Sequence, residues 1–418
     1  MKRVILITAN VGSLFEDMNL RTNWLNRVVE KITSARALFV ALHMQETGGK
    51  DFRAHSHEVP KMIEDLYRML QPDYETCLAL LDLNYNAIEE YTALGSVFFT
   101  HNSVFNSTSL YNFSKGKFEK QKRSGLSIKQ DLRKSKKLRK EKFPREFWPA
   151  VRWGRKGYLH TRWCLGGMYL DLINIHLFHD ESNLAIYENP SLYSANRKCA
   201  MDFVLDRYTA TCTKNGGLSR SLLFVFGDFN FRLNASTFLK KITGETKQFD
   251  VEYDPDRESL KHSSEDSDPS LRSNSNSYNN VNDHFKRQLS AIEFRRPEDQ
   301  DQTCVLRIEK KRFDYYDQSL FMDNWRQFRA DDQEASEFKL HEVSVDFPPT
   351  YPWSEDPMDS NSLMTTRAPA WCDRILMNDA SWSLVSKDTD CEYNSIGVDD
   401  CMGDHKPVYL SFSLSTSN

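Results

Sequence analysis

Apolar positions change their period twice within the first fifty residues. Val4–Ile7 is a continuous apolar run, the mark of a strand buried on both faces. Leu20, Trp24, Leu25, Val28, Val29 and Ile32 then recur at helical spacing, which predicts a helix over 19–34 with one apolar face. Leu38–Leu42 is a second buried run, so the chain opens as strand, helix, strand. Further apolar runs predict strands at 94–100, 158–165, 168–177, 221–227, 373–377 and 406–413, and helices at 59–70, 196–208 and 235–241. Strands mixed with helices throughout imply an α/β architecture with buried sheets.

Two stretches break this pattern. Residues 114–142 are Lys-rich and weakly periodic, and residues 250–285 are too polar to bury much surface. The expected plan is one catalytic domain over 1–413, a tail at 414–418, a basic insertion at 114–142 and a disordered insertion at 250–285. The overall charge of −4 hides an asymmetry: Lys115–Lys142 holds thirteen basic residues against three acids, leaving the rest of the chain near −14. An acidic body with one basic stretch lacks the basic face of a nucleic-acid binder. The basic run reads as a solvated charged loop, with contact to anionic lipid as the alternative.

With 39% hydrophobic residues the composition is that of an ordinary globular protein. The run Val4–Ile7 is too short for a secretory signal, and no apolar segment reaches membrane-spanning length. Eight scattered cysteines form no CxxC pair, which argues for reduced thiols. A cytoplasmic monomer, peripheral to a membrane at most, is the expectation.

The chemistry collects at strand ends. Val4–Ile7 leads to Asn10, and Leu38–Leu42 leads to Gln45-Glu46. Leu172–His179 carries two histidines three apart, His176 and His179. Leu222–Phe226 leads to Gly227-Asp228-Phe229-Asn230-Phe231-Arg232, and Gly403-Asp404-His405-Lys406-Pro407 precedes the closing strand. Buried strands gain little from terminal carboxylates, whereas a metal-assisted site on a sheet edge needs several. Magnesium prefers oxygen ligands and keeps several waters, so one or two carboxylates suffice.

Phe226–Arg232 resembles the GDxN(F/Y)R signature of the inositol polyphosphate 5-phosphatases, and Pro369-Ala370-Trp371-Cys372-Asp373-Arg374-Ile375-Leu376 resembles their P(A/S)WCDR(I/V)L signature. The flanking motifs match the wider DNase I-like superfamily. His176-Leu177-Phe178-His179-Asp180 and Arg162-Trp163-Cys164 resemble the type I branch of the family.

The resemblance implies a DNase I-like four-layer sandwich, two packed mixed β-sheets flanked by helices, and a Mg2+-dependent phosphomonoesterase. Its expected substrates are soluble inositol polyphosphates, the 1,4,5-trisphosphate and 1,3,4,5-tetrakisphosphate. Loss of their 5-phosphate would terminate calcium-mobilising signalling. Carried over by position, Glu46, Asn10 and Asp404 would serve the metal. Asp228 and Asn230 would position the attacking water, His405 oriented by Asp373 would meet the scissile phosphate, and His176 would face it. Which of Asp228 and His405 is the base stays open.

Lys156 would contact the 1-phosphate, Tyr351 and Arg367 would grip the 4-phosphate, and His179 would be a further substrate contact. Departures from the family pattern are Arg155 for Asn, Pro352 for Lys and Thr365 for Lys; the two lost lysines weaken the case for lipid substrates. The type I branch also implies a prenylated C-terminal Cys box, whereas this sequence ends Ser415-Thr416-Ser417-Asn418. The rival readings are a lipid 5-phosphatase, a nuclease of the same superfamily and a non-catalytic inositide-binding protein.

Overall fold

The computed structural model describes residues 2–121, 125–148, 154–214, 221–252, 289–297 and 303–414. In chain order the strands are β1 (Lys2–Asn10), β2 (Phe39–Gln45), β3 (Thr76–Leu81), β4 (Gly95–Thr100), β5 (Thr108–Asn112), β6 (Lys117–Lys120), β7 (Leu126–Lys129), β8 (Arg139–Lys142), β9 (Gly157–Leu165), β10 (Met168–His176), β11 (Leu222–Asp228), β12 (Lys247–Glu252), β13 (Leu289–Arg295), β14 (Cys304–Glu309), β15 (Arg312–Tyr315), β16 (Asp373–Met377), β17 (Glu392–Ser395) and β18 (Val408–Leu414). One mixed sheet runs β17-β18-β1-β2-β4-β3-β7, and a second runs β16-β11-β10-β9-β5-β6 with β8 also on β9. A smaller antiparallel sheet takes β12 to β15 in order.

Side-chain alternation explains the layers, because successive residues of a strand face opposite sides. In β1, Val4 and Leu6 join Phe39, Ala41, Phe98, Trp163, Leu172, Phe224 and Phe226 in the core between the two large sheets. Their neighbours Ile5 and Ile7 turn outward, with Val40 and Leu42, onto Trp24, Val28 and Ile32 of the helix Met18–Ser34. On the far side Ile173, Ile175, Leu223 and Val225 meet Ala200, Met201 and Val204 of the helix Leu192–Lys214. The result is helix, sheet, sheet, helix, as the resemblance implied. Among the described residues no helix is long and apolar enough to cross a membrane, and all eight cysteines are free.

Inward positions are apolar along most of each strand and turn polar at one end. Thr8 and Asn10 extend the stripe of Val4 and Leu6; His43 and Gln45 extend that of Phe39 and Ala41; Asn174 and His176 extend that of Leu170 and Leu172; Asp228 follows Phe224 and Phe226. The gap between the sheets is therefore dry over most of its length and charged at its mouth. A buried amide staple closes the dry part. Gln45 Nε2 donates to Asn174 Oδ1 at 2.8 Å, and Asn174 Nδ2 donates to the Gly95 carbonyl at 2.7 Å, linking β2 and β4 to β10 of the other sheet.

One expectation needs correction. The basic stretch 114–142 is no appended loop, for it contributes β6 and β8 to one large sheet and β7 to the edge of the other. Edge strands can carry charged side chains into solvent, so a Lys-rich sequence hides them from a hydrophobic pattern. The stretch 250–285 lies mainly outside the described residues, although its first residues complete β12.

Asn174→Leu would leave the buried Gln45 amide and a strand carbonyl unmet. We expect a loss of about 1–3 kcal/mol in urea unfolding; an unchanged midpoint would show that the staple contributes nothing to stability.

Candidate active site

Strand register assembles the centre. Across the second sheet Gly157 pairs with His176, His176 with Asp228, and Asp228 with Asp373, so one row of residues crosses β9, β10, β11 and β16. On the facing sheet Asn10 pairs with Gln45, and the chain then turns at Glu46, which takes a left-handed φ of 55°. Asn230 does the same after β11, with φ 54°. Both are non-glycine residues held in a sparsely populated conformation at the two functional strand ends. Gly227 is required by close approach, since a β-carbon there would lie 1.8 Å from the Ile175 carbonyl oxygen.

Asp228 is the hub, and it is buried. Its Oδ1 accepts the Asn230 backbone N–H at 2.9 Å, and its Oδ2 accepts Asn10 Nδ2 at 3.0 Å. His176 Nε2 lies 3.2 Å from the same Oδ2 and 3.7 Å from Glu46 Oε1. Asn230 Nδ2 donates to the Leu177 carbonyl, and its Oδ1 accepts from Arg232. Burial pushes the Asp228 carboxyl up, but His405, His176 and Lys156 outweigh it and hold it well below the usual carboxylate range.

His405 donates through Nδ1 to Asp373 Oδ2 at 2.8 Å, and Asp373 is wholly buried. Burial pulls the His405 imidazole down, but Asp373 and then Asp228 outweigh it and raise it, so the ring is protonated at neutral pH. The loop before β16 fixes this pair. Thr350 Oγ1 accepts the backbone N–H groups of Cys372 and Asp373, and the Tyr351 ring lies 4.5 Å from that of His405. One ligand atom each of Asp228, Asp373 and His405 lies within 4.8 Å of the other two, spacing that could suit a metal. His405 Nδ1 is committed to Asp373, however, and a protonated ring offers no lone pair.

A cation fits better on the facing sheet. A β-carbon on Gly12 would sit 3.0 Å from Glu46 Oε2 and 3.2 Å from Asn10 Oδ1, so both oxygens converge on the same space. Burial raises the Glu46 carboxyl, but Arg155, Lys156 and His176 overcome it and bring it to about 2, keeping it ionised. Asp404 lies beside this space, accepting from the Ser13 hydroxyl at 2.7 Å, and its carboxyl is raised by burial, against His405 and helped by Glu355 and Glu46. An all-oxygen set of this kind suits a hard divalent cation.

The remaining expected residues are distributed as follows. Arg367 donates to the Thr366 and Asp180 carbonyls on the wall next to Tyr351. His179 is exposed at the rim, edge-on to Trp148 at 4.8 Å, and lies within electrostatic reach of Lys156, Glu46, Arg367 and His176. Lys156 differs from expectation. Because Gly157 is in register with His176, the preceding lysine is pulled onto the floor. Its Nζ contacts His176 Nε2 beside Glu46 and Asp228, where the reacting group would lie rather than at an outer phosphate. Burial pulls its ammonium down to about 8 despite Glu46 and Asp228.

Three contributors escape sequence reasoning. Arg232 bridges Asn230 Oδ1, Asp180 and the face of Tyr351; its two-residue spacing from Asn230 was the available signal. Arg155 lies 3.6 Å from Glu46 Oε2. Ser13 bridges Asp404 and Glu355, and nothing in its sequence context marks it.

A buried carboxylate, amide and imidazolium cluster beside an oxygen-lined cation space defines a hydrolytic phosphoesterase of the endonuclease/exonuclease/phosphatase class. The family described as Endonuclease/Exonuclease/phosphatase family 2 matches residues 299–411. The chain is 46% identical to a probable type I inositol 1,4,5-trisphosphate 5-phosphatase of Caenorhabditis elegans, over 99% of this chain and 100% of that protein. It is 38% identical to inositol polyphosphate-5-phosphatase A of Rattus norvegicus, over 99% of this chain and 93% of the relative. A solved 5-phosphatase domain of SPsynaptojanin, in complex with inositol (1,4)-bisphosphate and calcium ion, aligns with 98% of this chain and 83% of its own at 12% identity and a TM-score of 0.46. The chain belongs to the inositol polyphosphate 5-phosphatase family and is a phosphatase.

If the His405 imidazolium is the working form, activity falls as pH rises through its raised pKa. Asp373→Asn removes the main group raising it, so the alkaline limb of the pH–rate profile should move down toward the ordinary histidine range near about 6.5. A limb that stays in place would assign it to another group.

Proposed function

We propose that this enzyme uses Mg2+ to hydrolyse the 5-phosphate of inositol 1,4,5-trisphosphate and inositol 1,3,4,5-tetrakisphosphate, ending a calcium-mobilising signal. The observation that carries the reading is the division of labour between Asp228 and His405. Asp228 is ionised and fixed by Asn10 and Asn230; the His405 imidazolium is favoured by its hydrogen bond to the Asp373 carboxylate and lies across the same space. Of the two, only the Asp228 carboxylate offers lone pairs, so it orients the attacking water by accepting its hydrogen bond. His405 and Lys156 present positive charge to the phosphoryl oxygens as negative charge grows on them.

Glu46, Asn10 and Asp404 would hold the metal, which supplies charge neutralisation at the phosphoryl group and leaving oxygen. Tyr351 and Arg367 line the wall on which the neighbouring 4-phosphate would rest, and Pro352 and Thr365 in place of the family lysines favour a soluble substrate over a lipid. The printed names of the relatives agree with this choice. The net-acidic body outside 114–142 gives no support to a nuclease.

Phosphate release from trisphosphate should require added Mg2+ and stop with chelator. Asp228→Ala and His405→Ala should each lower kcat by at least about 10²-fold; variants that match the parent would remove the site assignment. Arg367→Ala should raise KM for the trisphosphate more than it lowers kcat, because a remote phosphate loses its grip, and an unchanged KM would remove the 4-phosphate role.

A further inference from the structure

The short hairpin of the small sheet reaches the cleft wall. β14 and β15 pair Glu309 with Arg312, so Lys310 and Lys311 form the two-residue turn between them, and both are exposed. Tight turns of this length favour Asn and Gly, so turn geometry does not account for two lysines. The nearby acids of the hairpin are occupied: Glu309 accepts from Arg307 at 2.6 Å, and Asp314 pairs with Arg312. Glu181 is the acid that faces Lys310.

Hydrogen bonds fix this turn to the segment carrying Arg367. The Asn183 backbone N–H donates to the Lys310 carbonyl at 3.0 Å, while Asn183 Nδ2 donates to the Thr366 carbonyl at 3.1 Å. The Phe313 N–H donates to the Thr365 carbonyl at 2.7 Å. Asn183 is itself buried. The turn thus stands next to Thr365–Arg367, the segment whose arginine neighbours Tyr351.

On the inositol ring carbon 4 separates carbon 5 from carbon 3. With the 5-phosphoryl group at Asp228 and His405 and the 4-phosphate at Tyr351 and Arg367, a 3-phosphate points farther out along the same wall. We propose that Lys310 and Lys311 form an outer phosphate subsite that receives a phosphate on ring carbon 3 and favours the tetrakisphosphate over the trisphosphate. This rests on the reaction and ring orientation of the preceding subsection.

The test compares kcat/KM for inositol 1,3,4,5-tetrakisphosphate and 1,4,5-trisphosphate in the parent, Lys310→Ala/Lys311→Ala, Lys310→Arg/Lys311→Arg and Lys387→Ala. Lys387 is an exposed lysine just before Asp388, whose carboxylate accepts from Ser413 at the end of the sheet remote from Asn10. The double alanine variant should lower the tetrakisphosphate-to-trisphosphate ratio by about fivefold, the size of one screened surface contact between charges. The arginine variant should retain the parent ratio, and added salt should shrink the difference.

An unchanged ratio in the double alanine variant, or the same fall in Lys387→Ala, would overturn the subsite. The affinity ratio is also read by calorimetry with each ligand. Absence of turnover in the parent would therefore overturn the reaction alone, while the affinity ratio still decides the subsite.

Discussion

A carboxylate shut away from water must be given its charge partners by the protein, and Asp228 is where that constraint is tightest. The desolvation cost of such an ion is several kcal/mol even after relaxation. It is offset by a backbone N–H, the Asn10 amide and two imidazoles, which come from β1, β10, the turn after β11 and the segment before β18. Both large sheets must be correctly packed before Asp228 is compensated. Folding and assembly of the centre are thus one event.

The same electrostatics describe how the cleft accepts its ligands. Glu46, Asp228, Asp373 and Asp404 are set against Lys156, Arg155 and the His405 imidazolium, so opposite charges are interleaved on the floor. A divalent cation and a phosphoryl dianion together add no net charge to that floor, whereas either alone would. Arg232 extends this pattern sideways, linking Asn230 to Asp180 and Tyr351.

Much of this was legible in the sequence, because the informative residues sit where two periodicities end. Apolar runs placed β1, β2, β9, β10, β11, β16 and β18 within a few residues, and the polar residues at their ends are those that line the mouth. Glu46, Asp228, Asp373 and His405 were identifiable for that reason. The Lys-rich edge strands were not, since their pairing is backbone to backbone and their charges are met by residues distant in sequence, as Lys140 is by Asp82 at 2.9 Å. The small sheet was missed because β12 to β15 carry many charged residues, and their apolar positions pack beside the cleft rather than between the large sheets. The burial of Lys156 against His176 was not foreseen, because it depends on register across β9 and β10, which spacing along one strand does not reveal.

The row Gly157, His176, Asp228 and Asp373 limits where this chain can change length. Inserting one residue into the last turns of β10 or β11 would exchange inward for outward positions beyond it. An imidazole or carboxylate would then point into the helix layer, and an Ile or Phe into the cleft. The connections between strands carry no such parity, and this is where the fold can lengthen, as the polar chain between β12 and β13 does. Variation in this architecture should be counted in whole loops at its periphery, and in substitutions, not insertions, along the strands that meet at the mouth.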